Sequence, residues 1–193
     1  NIENKTLIFY TNGLLGSRKS QTYSNFNDFM YNLSYWSSWS NGFNIWKSEF
    51  DKIDKNLKLN KLFPHTSLFL TQHQAKLFCI NDNLLFDVQR IPKRGGHNKF
   101  EAFTIEYPSL LDECCKKGHI STKCKKHILF GIMVQFLPSL LFNKYIIRIE
   151  TFDDTGFRDN LKKYYPSYAY WLVLISVLGV PFRLFCRKLK NKR

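Results

Sequence analysis

Residues 164–182 run for 19 positions without a charged side chain, and after Arg183 the apolar run resumes as Leu184-Phe185-Cys186. About 20 apolar residues in a helix reach across a bilayer's hydrocarbon core. The ends of the run also suit a bilayer. Tyr164, Tyr165, Tyr168, Tyr170 and Trp171 stand at its start, where amphipathic rings favour the headgroup region. Arg187, Lys188, Lys190, Lys192 and Arg193 follow its end with no acid among them, which places that end on the cytoplasmic side. The sequence therefore predicts a transmembrane helix over 164–186 and a basic cytoplasmic tail over 187–193, in an unspecified membrane. Its interface residues are Tyr164, Tyr165, Tyr168, Trp171, Arg183, Arg187 and Lys188. The competing reading is a buried C-terminal helix of a soluble domain, because Pro166, Gly179 and Pro181 shorten the central apolar stretch.

A second apolar run, Ile128 to Phe142, contains Gln135 and Pro138 and reads as a core or re-entrant segment. Lys123, Lys125 and Lys126 precede it, and the stretch from Arg148 to Lys163 balances four bases with four acids. That asymmetry also fits a helical hairpin with both ends cytoplasmic. The two topologies differ for the first 120 residues, which are luminal with one span and cytoplasmic with a hairpin. The polar interruptions in the second run favour one span, with 1–163 luminal.

Residues 1–163 read as one α+β domain, since no Gly-, Pro- or Ser-rich linker divides them. Ser24 is positioned to cap a helix whose Phe26, Phe29, Met30, Leu33 and Trp36 follow the spacing of one helical face. The steps of three and four continue through Trp39, Phe43, Trp46, Phe50, Ile53 and Leu57, with a break at Asn41-Gly42. A core-facing pair of aromatic-rich helices accounts for this better than an interfacial one, because Glu49, Asp51 and Asp54 dilute the lysines of the polar face. Beyond residue 66 the pattern shortens. Ser67–Thr71, Lys76–Ile80, Leu84–Gln89, Phe100–Tyr107 and Tyr145–Phe152 read as strands of a small, mainly antiparallel sheet, with Asn81-Asp82-Asn83 as a hairpin turn.

Apolar residues make up 44% of the chain, enough to build a core, and the net charge of +14 attracts anionic surfaces, either lipid or nucleic acid. The densest basic group abuts the apolar run, so a lipid bilayer is the favoured partner, with an unidentified protein partner beside it. A soluble nucleic-acid-binding protein is the alternative. Asn1 in place of an initiator Met points to a mature form or a fragment.

The chemical motifs are sparse. Cys115, His119, Cys124 and His127 are of the types that hold zinc, but they lack the paired spacings of familiar sites. A surface loop is the better reading, with a disulfide from Cys114 or Cys115 to Cys124 if that region is luminal. The Gly-containing basic turn Pro92 to Lys99 matches no phosphate-binding fingerprint and reads as a solvated loop. Asp153-Asp154 reads as a turn carboxylate pair, and Asn4-Lys5-Thr6 and Asn32-Leu33-Ser34 are sequons that matter only in a lumen. No hydrolase elbow, zinc-protease helix or kinase set is present, so no catalytic residue, metal or cofactor is assigned.

Phe157-Arg158-Asp159-Asn160-Leu161, Tyr170-Trp171-Leu172-Val173 and Pro181-Phe182-Arg183 together resemble the end of the transmembrane protein 151 family. That family also has an acidic Phe-Arg element before an aromatic-rich membrane segment closing in Pro-x-Arg. The resemblance covers 157–183 and implies an integral membrane protein. It transfers no catalytic residue. The expected function is therefore that of a membrane-anchored, non-enzymatic interaction or assembly protein.

Overall fold

A computed structural model describes residues 5–86 and 98–191, which combine a small sheet with many helices, an α+β arrangement. The chain forms two compact units, one from Asn1–Arg90 with Ser109–Ile128 and the other from Ile91–Pro108 with Leu129–Arg193.

In the first unit, β1 (Leu7–Tyr10), β2 (Ser20–Tyr23) and β3 (Phe78–Asn81) form a sheet of order β1-β3-β2. β1 runs parallel to β3, with Leu7 opposite Phe78 and Phe9 opposite Ile80, while β2 runs antiparallel to it. The sheet is thus mixed rather than mainly antiparallel. A parallel pair needs a long crossover, and here the crossover carries β2, α1 (Phe26–Leu33), the one-turn α2 (Lys47–Phe50) and α3 (Pro64–Leu70).

α1 forms as its apolar spacing predicts, burying Phe26, Phe29, Met30 and Leu33. Its cap is Asn25 rather than Ser24: the Asn25 side chain accepts from the Asp28 amide at 2.8 Å, satisfying a first-turn donor. Phe29 stacks on Phe78 at 5.2 Å, and Phe9 meets Phe69 edge to face at 5.5 Å. These rings join helices to sheet in one aromatic core.

The second aromatic helix expected over 43–57 shrinks to α2, leaving Phe50 and Leu57 exposed. The sheet edge takes the preceding residues instead. Phe43 bridges to Phe9, the Asn44 side chain accepts from the Ile8 amide at 3.2 Å, and the Trp46 indole donates to the Thr6 carbonyl at 3.1 Å. Ser67–Thr71, expected as a strand, lies in α3 and the short turn after it; Pro64 in the first turn of α3 needs no helical partner for its missing N–H.

Two helices follow, α5 (Tyr107–Lys116) and α6 (Thr122–Gly131), preceded by α4 (Lys99–Glu101). A wide-turned π segment, Ala102–Glu106, makes 99–116 one continuous helix where a strand over Phe100–Tyr107 was expected. The inward residues are Phe100, Thr104, Tyr107 and Leu111, all fully buried and spaced for a helix. Phe103, Ile105 and Tyr107 alternate with Thr104 and Glu106, the pattern behind the strand expectation, but the buried positions follow the helical spacing instead. The strand expected over Leu84–Gln89 is absent from 84–86, and its remaining residues lie outside the described ones.

In the second unit, α6 continues through a π segment (Ile132–Phe136), α7 (Leu137–Leu141) and another π segment (Phe142–Ile146). The resulting helix, 122–146, is long and apolar enough to cross a membrane, with half of its apolar window buried inside the protein. Tyr145–Phe152 is accordingly the end of this helix and a loop, not a strand. α8 (Phe157–Tyr164), α9 (Ala169–Val177) and α10 (Val180–Asn191) complete the unit. The helix expected over 164–186 is therefore interrupted: Tyr164 ends α8, and α9 meets α10 at a bend of 53°. Pro181 brings no N–H to the backbone ladder at the start of α10, which ends the register of α9 there.

Candidate membrane-contact surface

α9 buries one face and exposes another. Ala169 and Val173 are buried, whereas Trp171, Ile175 and Leu178 are 60%, 64% and 81% exposed. Phe182 and Phe185 continue the exposed series at 70% and 59%. Trp171, Ile175 and Leu178 follow steps of four and three along α9 and its end, and beyond the bend Phe182, Leu184 and Phe185 are all exposed. Soluble monomers rarely leave a run of large apolar side chains in water.

The expected interface residues have different fates. Tyr168 and Trp171 are exposed. Tyr165 is buried, and its hydroxyl donates to the Phe103 carbonyl at 2.8 Å, which makes it a core residue. Tyr164 is half-buried at the end of α8. Arg183 turns inward, donating to the carbonyls of Val134 and Ser176. Carbonyl oxygens are the partners that a cation beside an apolar phase needs. Arg187 and Lys188 continue the α10 backbone. Ile175, Leu178, Phe182 and Phe185 were not singled out in the sequence, because a uniformly apolar run conceals which face is outward.

A groove of about 340 Å³ in the same unit is lined by Leu141, Ile146, Leu174 and Val177, with Asp154 and Tyr145 at its polar side. Asp154 accepts from Lys144 at 2.8 Å and from the Tyr145 hydroxyl. Asp153 turns away to bond Thr155, so the two adjacent carboxylates serve separate local contacts.

The Cys and His residues of the zinc reading are not gathered. His119 stacks on His73 with centroids 3.5 Å apart, His127 stacks on Tyr31 at 3.9 Å, and the Cys124 thiol lies 3.6 Å from the Asn27 carbonyl. Among the described residues no three His, Cys, Asp or Glu side chains are placed to share an ion, and all five cysteines are thiols. Burial pushes the Cys114 thiol up to about 12, so it is protonated at neutral pH. In the basic turn, residues 92–97 lie outside the described ones; Asn98 caps α4, and Lys99 pairs with the buried Glu150 at 3.1 Å.

The first unit has an open cleft of about 740 Å³ beside Trp46. Its Glu49 sits between Lys5 and Lys52, each at 3.0 Å, and these bonds hold its carboxyl below the usual range. A carboxylate so paired stays ionised and is poorly suited to donate a proton. Comparison of the chain with protein-family models, with curated proteins and with solved structures finds no match in any of the three.

Proposed function

We propose that the protein is a membrane-anchored interaction or assembly protein, held by α9 and α10, with its basic tail on the cytoplasmic side. The observation that carries this reading is the exposed series Trp171, Ile175, Leu178, Phe182 and Phe185. Lipid would cover these side chains, each contributing about 1.5–3 kcal/mol when fully removed from water. The cations from Arg187 to Arg193 follow immediately in sequence, where anionic headgroups would meet them.

The bend favours partial entry over a straight crossing. At 1.5 Å per residue, α9 and the apolar start of α10 are about 13 Å and 10 Å long. Joined at 53° they reach about 20–25 Å, short of a core of about 30 Å. A bent pair that dips into one leaflet keeps its entry and exit on one side.

Flotation with vesicles at roughly 1 M salt tests the anchor, because ionic attraction is then screened within about 3 Å. The full chain is expected to float under these conditions. Leu178→Ser with Phe182→Ser is expected to lower its partitioning by about tenfold or more. A wild-type chain that remains at the bottom of the gradient would refute the anchor.

A further inference from the structure

Leu84, Leu85 and Phe86 are three consecutive large apolar residues, exposed by 62%, 54% and 49%. Ordinarily such a triplet would collapse onto the nearest core. Here a buried polar side chain holds the backbone of the last two. Asn12, itself 6% exposed, accepts from the amides of Leu85 at 2.8 Å and Phe86 at 3.2 Å and donates to the Phe86 carbonyl at 2.9 Å. One side chain thus satisfies three backbone groups of the tip.

Asp82, with no exposed surface, fixes the opposing loop. Its carboxylate accepts from the Thr11 hydroxyl at 2.5 Å and from the amides of Leu15, Ser17 and Arg18 at 3.1, 2.8 and 3.0 Å. Gly13 belongs to the same construction: its φ of 78° is left-handed, and a Cβ there would come within 2.8 Å of the Leu84 side chain. The loop that Asp82 holds carries exposed Arg18 and Lys19, and the Lys19 carbonyl accepts from the Asp82 amide at 3.3 Å. Two exposed cationic residues thus sit on a backbone bonded to Asp82, two residues before Leu84.

We infer that Leu84, Leu85 and Phe86 form a preorganised knuckle that inserts into the surface of an anionic bilayer, with Arg18 and Lys19 meeting the lipid phosphates. Apolar side chains beside cations are the pairing that an anionic interface selects. Rigid presentation suits insertion, because the ordering cost is already met in the fold. This contact uses residues of the first unit, none of which belongs to the anchor proposed for α9 and α10.

The test uses the full chain with vesicles of phosphatidylcholine, with and without phosphatidylserine, and brominated acyl chains as quenchers. Trp171 reports on α9, read as the difference from Trp171→Phe. The indole introduced by Leu85→Trp, read as the difference from the parent, reports on the knuckle. Its emission is expected to shift to the blue and to be quenched in vesicles containing phosphatidylserine, with much weaker quenching without it. Leu84→Ser with Phe86→Ser in that background is expected to abolish the quenching, and Arg18→Glu with Lys19→Glu to weaken it at least threefold. Quenching at Trp171 without quenching at the introduced indole overturns this inference alone. Quenching at the indole alone overturns the anchor and leaves the knuckle standing. An indole that stays water-exposed with vesicles and is shielded only by a protein partner also overturns the lipid assignment.

Discussion

Asp82 ties the loop from Thr11 to Arg18 together through one buried carboxylate. Burial alone would raise its carboxyl, but hydrogen bonds from Thr11, Leu15, Arg18 and Ser17 outweigh that and hold it below the usual carboxylate range. Asp82→Asn is expected to cost about 1–3 kcal/mol in urea unfolding at neutral pH, since an amide cannot accept every one of these donors. The sign with pH follows from the depressed folded value. The contribution is complete above the unfolded pKa of about 3.9 and is lost as pH falls through the lower folded value. The wild type should therefore lose stability on acidification through this range, and Asp82→Asn should lack that component of the slope. Gly42 is constrained in another way: a Cβ there would lie 2.0 Å from the ring of Phe9, which is fully buried. Gly42→Ala is expected to lower the stability by about 1–3 kcal/mol, read as a reduced denaturation midpoint at unchanged slope.

At the scale of elements, the connection from α5 to α6 and α6 itself are tied to α1 and to the turn after α3. Asn27 accepts from the Ser121 amide at 2.8 Å, Tyr31 stacks on His127, and His73 stacks on His119. Burial, with smaller effects from His73 and Lys117, holds His119 below its ordinary pKa. The fold thus favours the neutral ring, so this contribution is complete above the unfolded value of about 6.5 and is lost as pH falls from there through the folded value. Amide exchange over 117–121 should slow between pH 7 and pH 5 by less than its base-catalysed intrinsic rate predicts, leaving an excess of exchange at the acid end. His119→Phe, which keeps a stacking ring without a titrating group, should remove the excess. The aromatic alternation at 100–107 shows why a strand reading fails at this scale: the segment fits both a period of two and steps of four and three, and the burial of Phe100, Thr104 and Tyr107 follows the helical spacing.

For the whole molecule the relevant quantities are charge and its screening. Six of the 29 bases lie beyond residue 182, so residues 1–163 retain a positive excess without the C-terminal helices. A 1–163 truncation is therefore expected to bind phosphatidylserine vesicles at low ionic strength and to dissociate as salt rises, whereas the full chain stays bound. Cosedimentation over a salt series measures the difference. Equal loss of both proteins with salt would assign all binding to charge.

The sequence by itself determined the α1 face, the apolar C-terminal run, its aromatic start and its basic end, because each depends on local spacing or on composition. It also marked Asn41-Gly42 as a break, and Gly42 is where the Phe9 ring leaves no room for a Cβ. β1 and β2 escaped notice because Leu7–Tyr10 is continuously apolar and Ser20–Tyr23 is polar, so neither alternates; they become strands by pairing with β3. The exposed faces of α9 and α10, the burial of Tyr165, the separation of Cys115, His119, Cys124 and His127, and the knuckle held by Asn12 were decided by tertiary structure. Each depends on partners distant in the chain, and Asn12 meets Phe86 across 74 residues. No local pattern encodes such a meeting, because it exists only once packing has brought the two segments together.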